Sequence, residues 1–143
     1  MKNLIFCGLV MLFIISCSKD SFQSKPQLFL KSVSSTNIKT GGNLEIKFRL
    51  TDKEGDFRDT IWVKKITTRC PNSNFADSSI FRVPSDVPRT NFFDAEVVIN
   101  LNYFLGLQPR CTKADTAVFS FWMKDAAGNK SDTVSTPSII IAR

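Results

Sequence analysis

Leu44-Glu45-Ile46-Lys47-Phe48-Arg49-Leu50 is a strict alternation of apolar and charged side chains. Successive side chains of a strand point to opposite faces, so Leu44, Ile46, Phe48 and Leu50 share one face, with Glu45, Lys47 and Arg49 on the other. One apolar and one charged face is the habit of an antiparallel sheet that covers a core and meets water. Val97, Ile99 and Leu101 repeat the pattern against Glu96 and Asn100, and Ala117, Phe119, Phe121 and Met123 repeat it against Thr116, Ser120 and Lys124.

From these three segments the reading extends to seven strands, at about 27–33, 44–51, 59–69, 79–83, 93–101, 115–124 and 131–141. Turn chemistry separates them: Gly41-Gly42, Glu54-Gly55-Asp56, Pro71-Asn72, Pro84 through Pro88, Gly106 with Pro109, and Asp125 through Asn129. No stretch carries a sustained helical period, although 102–110 has room for one short helical turn at Tyr103-Phe104-Leu105. Seven short strands with frequent turns predict an all-β, antiparallel β-sandwich. Pro137 removes a ladder donor, so the last strand is expected to be interrupted or bulged, or to lie at an edge.

Phe121 through Ser131 reads strand, then Asp125-Ala126-Ala127-Gly128-Asn129-Lys130-Ser131. It resembles the closing hairpin of many bacterial immunoglobulin-like domains, and the resemblance implies an immunoglobulin-like topology. Phe48 through Phe57 is similar to the strand and acidic turn of small lipoproteins of the Bacteroidota type, with Leu50 before Thr51 and Glu54 in place of an Asp. Asp52, Glu54, Asp56 and Asp59 invite a calcium reading, because oxygen-rich turns bind hard cations. The EF-hand spacing fails, and a solvated acidic turn is the competing reading.

At the other end, an apolar run from Leu4 to Ile15 follows Lys2 and closes on Phe13-Ile14-Ile15-Ser16-Cys17. That string resembles a bacterial lipobox. The resemblance implies removal of residues 1–16 as a signal peptide and acylation of Cys17, including palmitate-type chains. The run is too short for a confident membrane span and has the charged start of a signal peptide. Residues 17–25 then read as the lipidated Cys and a polar tether, and 26–143 as one sandwich domain. The mature chain of 127 residues can bury a core without metal. The expected location is the cell envelope, lipid-anchored at the outer membrane, with its facing left open; Ser18-Lys19-Asp20 carries a single acid for surface display.

The mature charge is +5, from 18 Lys and Arg against 13 Asp and Glu. Its cations are spread (Lys47 and Arg49, Lys64 and Lys65, Arg82 and Arg89, Lys124 and Lys130), which reads as charge on solvent-facing strand positions rather than a nucleic-acid footprint. An anionic glycan or lipid headgroup is the other partner class that such a charge admits. Cys70 and Cys111 remain once Cys7 and Cys17 are assigned, and an even pair in an oxidising compartment reads as a disulfide; the rival readings are a reactive thiol or a metal site, for which two lone Cys without His are poor ligands. In an immunoglobulin-like sandwich the third and sixth strands are antiparallel neighbours, so Cys70 and Cys111 should meet at one rim.

Asp59-Thr60-Ile61, Asp115-Thr116-Ala117 and Asp132-Thr133-Val134 share an Asp-Thr-aliphatic pattern. The resemblance to exported Bacteroidota-type proteins makes Thr60, Thr116 and Thr133 candidate O-glycosylation acceptors; the competing reading is that each triplet opens a strand. Trp62 and Trp122, if outward, are adjacent, either as a sugar platform or as ordinary packing. Phe92-Phe93 and Tyr103-Phe104 cannot each turn both rings inward. There is no His, no Gly-x-Ser-x-Gly, no phosphate loop and no metal-ligand cluster. The sequence therefore supports no catalytic residue and implies no cofactor, with a carboxylate-only enzyme as the residual alternative. The expectation is a lipid-anchored, non-catalytic interaction or accessory module meeting an envelope protein or glycan; the alternative is a carbohydrate-binding or carbohydrate-processing lipoprotein.

Overall fold

The computed structural model describes residues 23–143, and the side chains of all of these except 76–80. The expected signal peptide, the expected lipidation site Cys17 and the first part of the expected tether, through residue 22, lie outside the described residues. The described residues form nine strands: β1 Gln27–Val33, β2 Asn37–Ile38, β3 Asn43–Asp52, β4 Phe57–Thr67, β5 Phe75–Arg82, β6 Phe93–Asn102, β7 Asp115–Asp125, β8 Val134–Ser135 and β9 Ile139–Ile141. They make two packed sheets, β1-β3-β6 and β2-β9-β7-β4-β5, with β8 also on β7. The first, second and fifth long strands share one sheet while the others form the second, which is the immunoglobulin-like order.

The alternations read from the sequence supply the core. Leu44, Ile46, Phe48 and Leu50 are fully buried and face Ile61, Val63, Phe119, Phe121 and Met123 of the other sheet. Phe48 and Phe121 bring their ring centroids to 4.9 Å across the interior. On the outer face of the small sheet, Arg49 grips Asp94 with two hydrogen bonds of 2.9 and 2.8 Å, and Lys47 lies near Glu45 and Glu96. These cations are solvent-face charges, as expected.

Two differences from the sequence reading have simple causes. β2 is only two residues long and pairs in parallel with β9, so the sandwich is not wholly antiparallel. β5 begins at Phe75 rather than 79, because Ala76-Asp77-Ser78-Ser79 offers no alternation to read. The final strand breaks into β8 and β9 around Pro137, the interruption expected from its missing donor. There Ser131 and Thr136 hydroxyls stand in for ladder acceptors, taking the amide hydrogens of Met123 and Phe119 at 3.0 and 3.1 Å. In the preceding hairpin only Gly128 takes a positive φ, +92°. Asn129 instead binds the Asp125 carboxylate through its backbone and side-chain nitrogens, both at 2.7 Å.

The pairing registers give the sandwich two distinct ends. The near pole is where the chain enters: Gln27 lies opposite Thr51, and Asp52, Phe57, Phe93 and Asp125 end their strands beside it. Gln23 and Lys25 already bind here, through a hydrogen bond from Lys53 and an ion pair with Asp132. The far pole gathers Thr67, Cys70, Asn102, Asp115 and Ile141. A ten-residue strand such as β3 separates the two by about 30 Å.

Candidate functional site

The near pole is built for closure. Asp52 Oδ1 accepts the amide hydrogens of Glu54 and Gly55, fixing the acidic turn from within. Burial, with like charge from Asp56 and Asp125, pushes the Asp52 carboxyl above its usual range. Asp59 faces away toward Arg89, whose guanidinium holds it low. Among the described residues no three Asp, Glu, Cys or His side chains converge as a metal site. The acidic turn is a loop capped from within by Asp52.

The Asp-Thr triplets do not share one setting. Thr60 lies inside β4 and Thr116 inside β7, both partly covered, while Thr133 is exposed just before β8. Trp62 and Trp122 are direct cross-strand partners on the outer face of the large sheet. Trp122 is only 8% exposed, and the Lys130 ammonium sits 4.4 Å from its ring centroid. Trp62 is partly buried. Of the two aromatic doublets, one ring goes in and one stays out: Phe93 and Tyr103 are buried, Phe92 and Phe104 exposed.

A second concavity, of about 340 Å³, lies along the open side between β6 and β5. Leu50, Ile61, Phe81, Val83, Phe93 and Val97 line it, so it is a gap in the apolar wall of the core with little polar chemistry.

The far pole concentrates polar groups of a different kind. Cys70 and Cys111 are bonded, with Cα atoms 5.7 Å apart, at the rim shared by β4 and β7. The bridge ties a single 3-10 turn, Pro71–Ser73, to the crossover that follows β6. That crossover opens with a π-helical turn, Tyr103–Leu107, started by Asn102 Oδ1 accepting the Phe104 amide and closed by Gln108 N–H donating to Tyr103 O. Tyr103 is fully buried and donates its hydroxyl to Ala142 O at 2.9 Å. Ser73 Oγ accepts the Arg110 amide at 2.7 Å, and Asn74 Oδ1 accepts that of Thr67 at 2.7 Å. Wide helical turns of this type are scarce and tend to accompany function.

Lys65 sits beneath this turn. The alternation of β4 places it in line with Ile61 and Val63, and it points inward, 1% exposed. Its ammonium donates to Gly106 O at 2.9 Å and Leu107 O at 2.8 Å, with the Phe75 and Phe119 rings about 6 Å away. Burial lowers its pKa from 10.5 to about 8; Asp115 opposes the shift and Arg110 adds to it. Asp115 is itself buried, its Oδ1 accepting the Arg69 and Thr116 amides and its Oδ2 unpartnered. Above Lys65 opens a pocket of about 180 Å³, walled by Ser73, Asn74, Phe75, Gln108 and Arg110. On its rim Phe104 and Leu105 are 69% and 89% exposed.

Sequence reasoning counted Lys65 with Lys64 among the solvent-facing cations, and the structure corrects this. Adjacent residues of a strand cannot share a face. The beat Ile61, Val63, Lys65, Thr67 carried the signal that Lys65 faces in. The rest of the pocket carried no such signal, because it is assembled from β4, the 71–75 turn and the 103–110 crossover. No family model and no curated protein matches this chain.

Proposed function

We propose that this chain is a lipid-anchored cell-envelope protein, held at the outer membrane through acylated Cys17, that acts as a non-catalytic interaction module through its far pole. The observation that carries this reading is the polarity of the sandwich. The chain enters β1 at the near pole, while the exposed Phe104 and Leu105 stand at the opposite end on a crosslinked crossover. Large exposed apolar groups on a fixed loop are what a contact surface presents. A lipid at the near pole leaves that surface facing outward, and two or more acyl chains suffice for stable anchoring. The resemblance of Phe13 to Cys17 to a lipobox supports the anchor, and the Bacteroidota-type triplets support sugar on Thr133, the most exposed acceptor.

Mass spectrometry of native protein should find a mature chain starting at acylated Cys17, and Cys17→Ala should leave the membrane fraction. The same spectrum reads any sugar on the Thr133 peptide. A photo-crosslinker at Leu105 should capture a defined envelope partner where one at Glu54 does not. Unmodified Cys17 in native membranes, or capture from Glu54 alone, overturns the reading.

A further inference from the structure

We propose that the far-pole pocket binds a carboxylate monoanion with an apolar remainder, the carboxylate lying between Lys65 and Arg110 and the remainder against Phe104 and Leu105. This deepens the far-pole contact reading and rests on it for its biological setting.

The pocket is rich in donors that nothing in the fold consumes. The Lys65 ammonium has three hydrogens, and Gly106 O and Leu107 O take two. Ser73 Oγ accepts the Arg110 amide, leaving its O–H to donate. Asn74 Oδ1 is taken by Thr67, leaving its NH2. The Arg110 guanidinium makes no ion pair among the described residues. No carboxylate lines the space. Such a set is matched by an anion, which accepts and cannot donate.

Charge and shape narrow the class. Lys65 and Arg110 contribute two positive charges, and Asp115 beneath them one negative, so the pocket presents about one net positive charge. That suits a monoanion better than a dianionic phosphate. The backbone groups that meet the Lys65 ammonium, Gly106 O and Leu107 O, are carbonyls rather than the amide hydrogens that cradle a phosphate. Burial of the lysine stem in the core fixes the ammonium before any ligand arrives, so little side-chain freedom is left to lose on binding. The exposed Phe104 ring and Leu105 side chain supply apolar cover at the mouth. A bare acetate would leave that cover unused.

Backbone amide shifts of Gly106 and Arg110 in the full chain, in a nonionic detergent, read the binding by NMR. The probes are phenylacetate, acetate, phenylacetamide and phenyl phosphate. Phenylacetate should titrate saturably at these amides. Phenylacetamide, the same shape without charge, should bind at least about tenfold more weakly, the worth of a charge-assisted hydrogen bond. Arg110→Gln, at an exposed position, should weaken phenylacetate about tenfold without changing the fold, and leave phenylacetamide unchanged. Phe104→Ala should bring phenylacetate down to the level of acetate. Equal titration by acid and amide, an unchanged affinity in Arg110→Gln, or tighter binding of phenyl phosphate overturns the proposal. Cross-linking from Leu105 that persists when phenylacetate fails to bind would reject the ligand class while leaving the far-pole contact standing. Loss of both would reject the contact itself.

Discussion

Lys65→Met should abolish a rise in stability that the parent protein shows at alkaline pH. In the folded chain burial holds the Lys65 ammonium at about 8, against 10.5 in its ordinary state. Between those values the unfolded chain retains a proton that the folded chain has released. The unfolded state then binds more protons, so the free energy of unfolding climbs with pH across this window. The full interval corresponds to about 3 kcal/mol. At neutral pH the comparison is less informative. Met removes the cost of burying a cation, but it also strips the Gly106 and Leu107 carbonyls of their donor, at about 1–3 kcal/mol each. The decisive quantity is the difference between the two pH profiles. Urea denaturation followed by Trp fluorescence at pH 7, 8, 9 and 10 should show the parent gaining about 2–3 kcal/mol on Lys65→Met. Profiles that stay parallel within about 0.5 kcal/mol would refute the argument, because Lys65 would then titrate alike folded and unfolded.

Two further perturbations test the poles. Replacing Cys70 and Cys111 by Ser opens a loop with a sequence separation of 41, and loop-closure entropy sets the loss of stability at about 4 kcal/mol; a loss below about 1 kcal/mol in urea would mean that the bridge steadies the far pole alone. Gly55 holds φ +67° with its missing Cβ pressed against the Thr90 backbone, so Gly55→Ala should cost about 2 kcal/mol or more by thermal denaturation, and a neutral result would show that the 52–57 turn can shift away from Thr90.

What the chain disclosed in advance follows from where water sits. β3, β6 and β7 each have one buried and one solvated face, and that contrast is written directly as alternation. The Cys70–Cys111 rim was legible once the third and sixth long strands were placed as neighbours. β2 was not, because two residues have no period. Lys65 was misjudged because its charge outweighed its position in the alternation. A lysine can face inward when its ammonium meets carbonyls at the far end of a long stem, and those carbonyls belong to a turn 41 residues away. The pocket above it joins three segments through topology and a crosslink, and no local pattern encodes that meeting. Phe104 and Leu105 could be foreseen in part: a doublet at Tyr103-Phe104 had to expose one ring, but which ring depended on the Tyr103 hydroxyl reaching Ala142.

The placement of β1 also decides how the sandwich answers mechanical load. A partner held at the far pole and an anchor pulling from Gln27 would stretch the protein along its strands. β1 runs antiparallel to β3 from Gln27 opposite Thr51 to Val33 opposite Ile46, and its hydrogen bonds lie across the direction of pull. Traction then shears the whole ladder at once rather than peeling it one pair at a time. The register shift between Leu30 and Ser32 divides that ladder, so the segment from Gln27 to Leu30 takes the strain first. Its Leu28 side chain, set in the core, is the bolt that has to be drawn before the strand can slide.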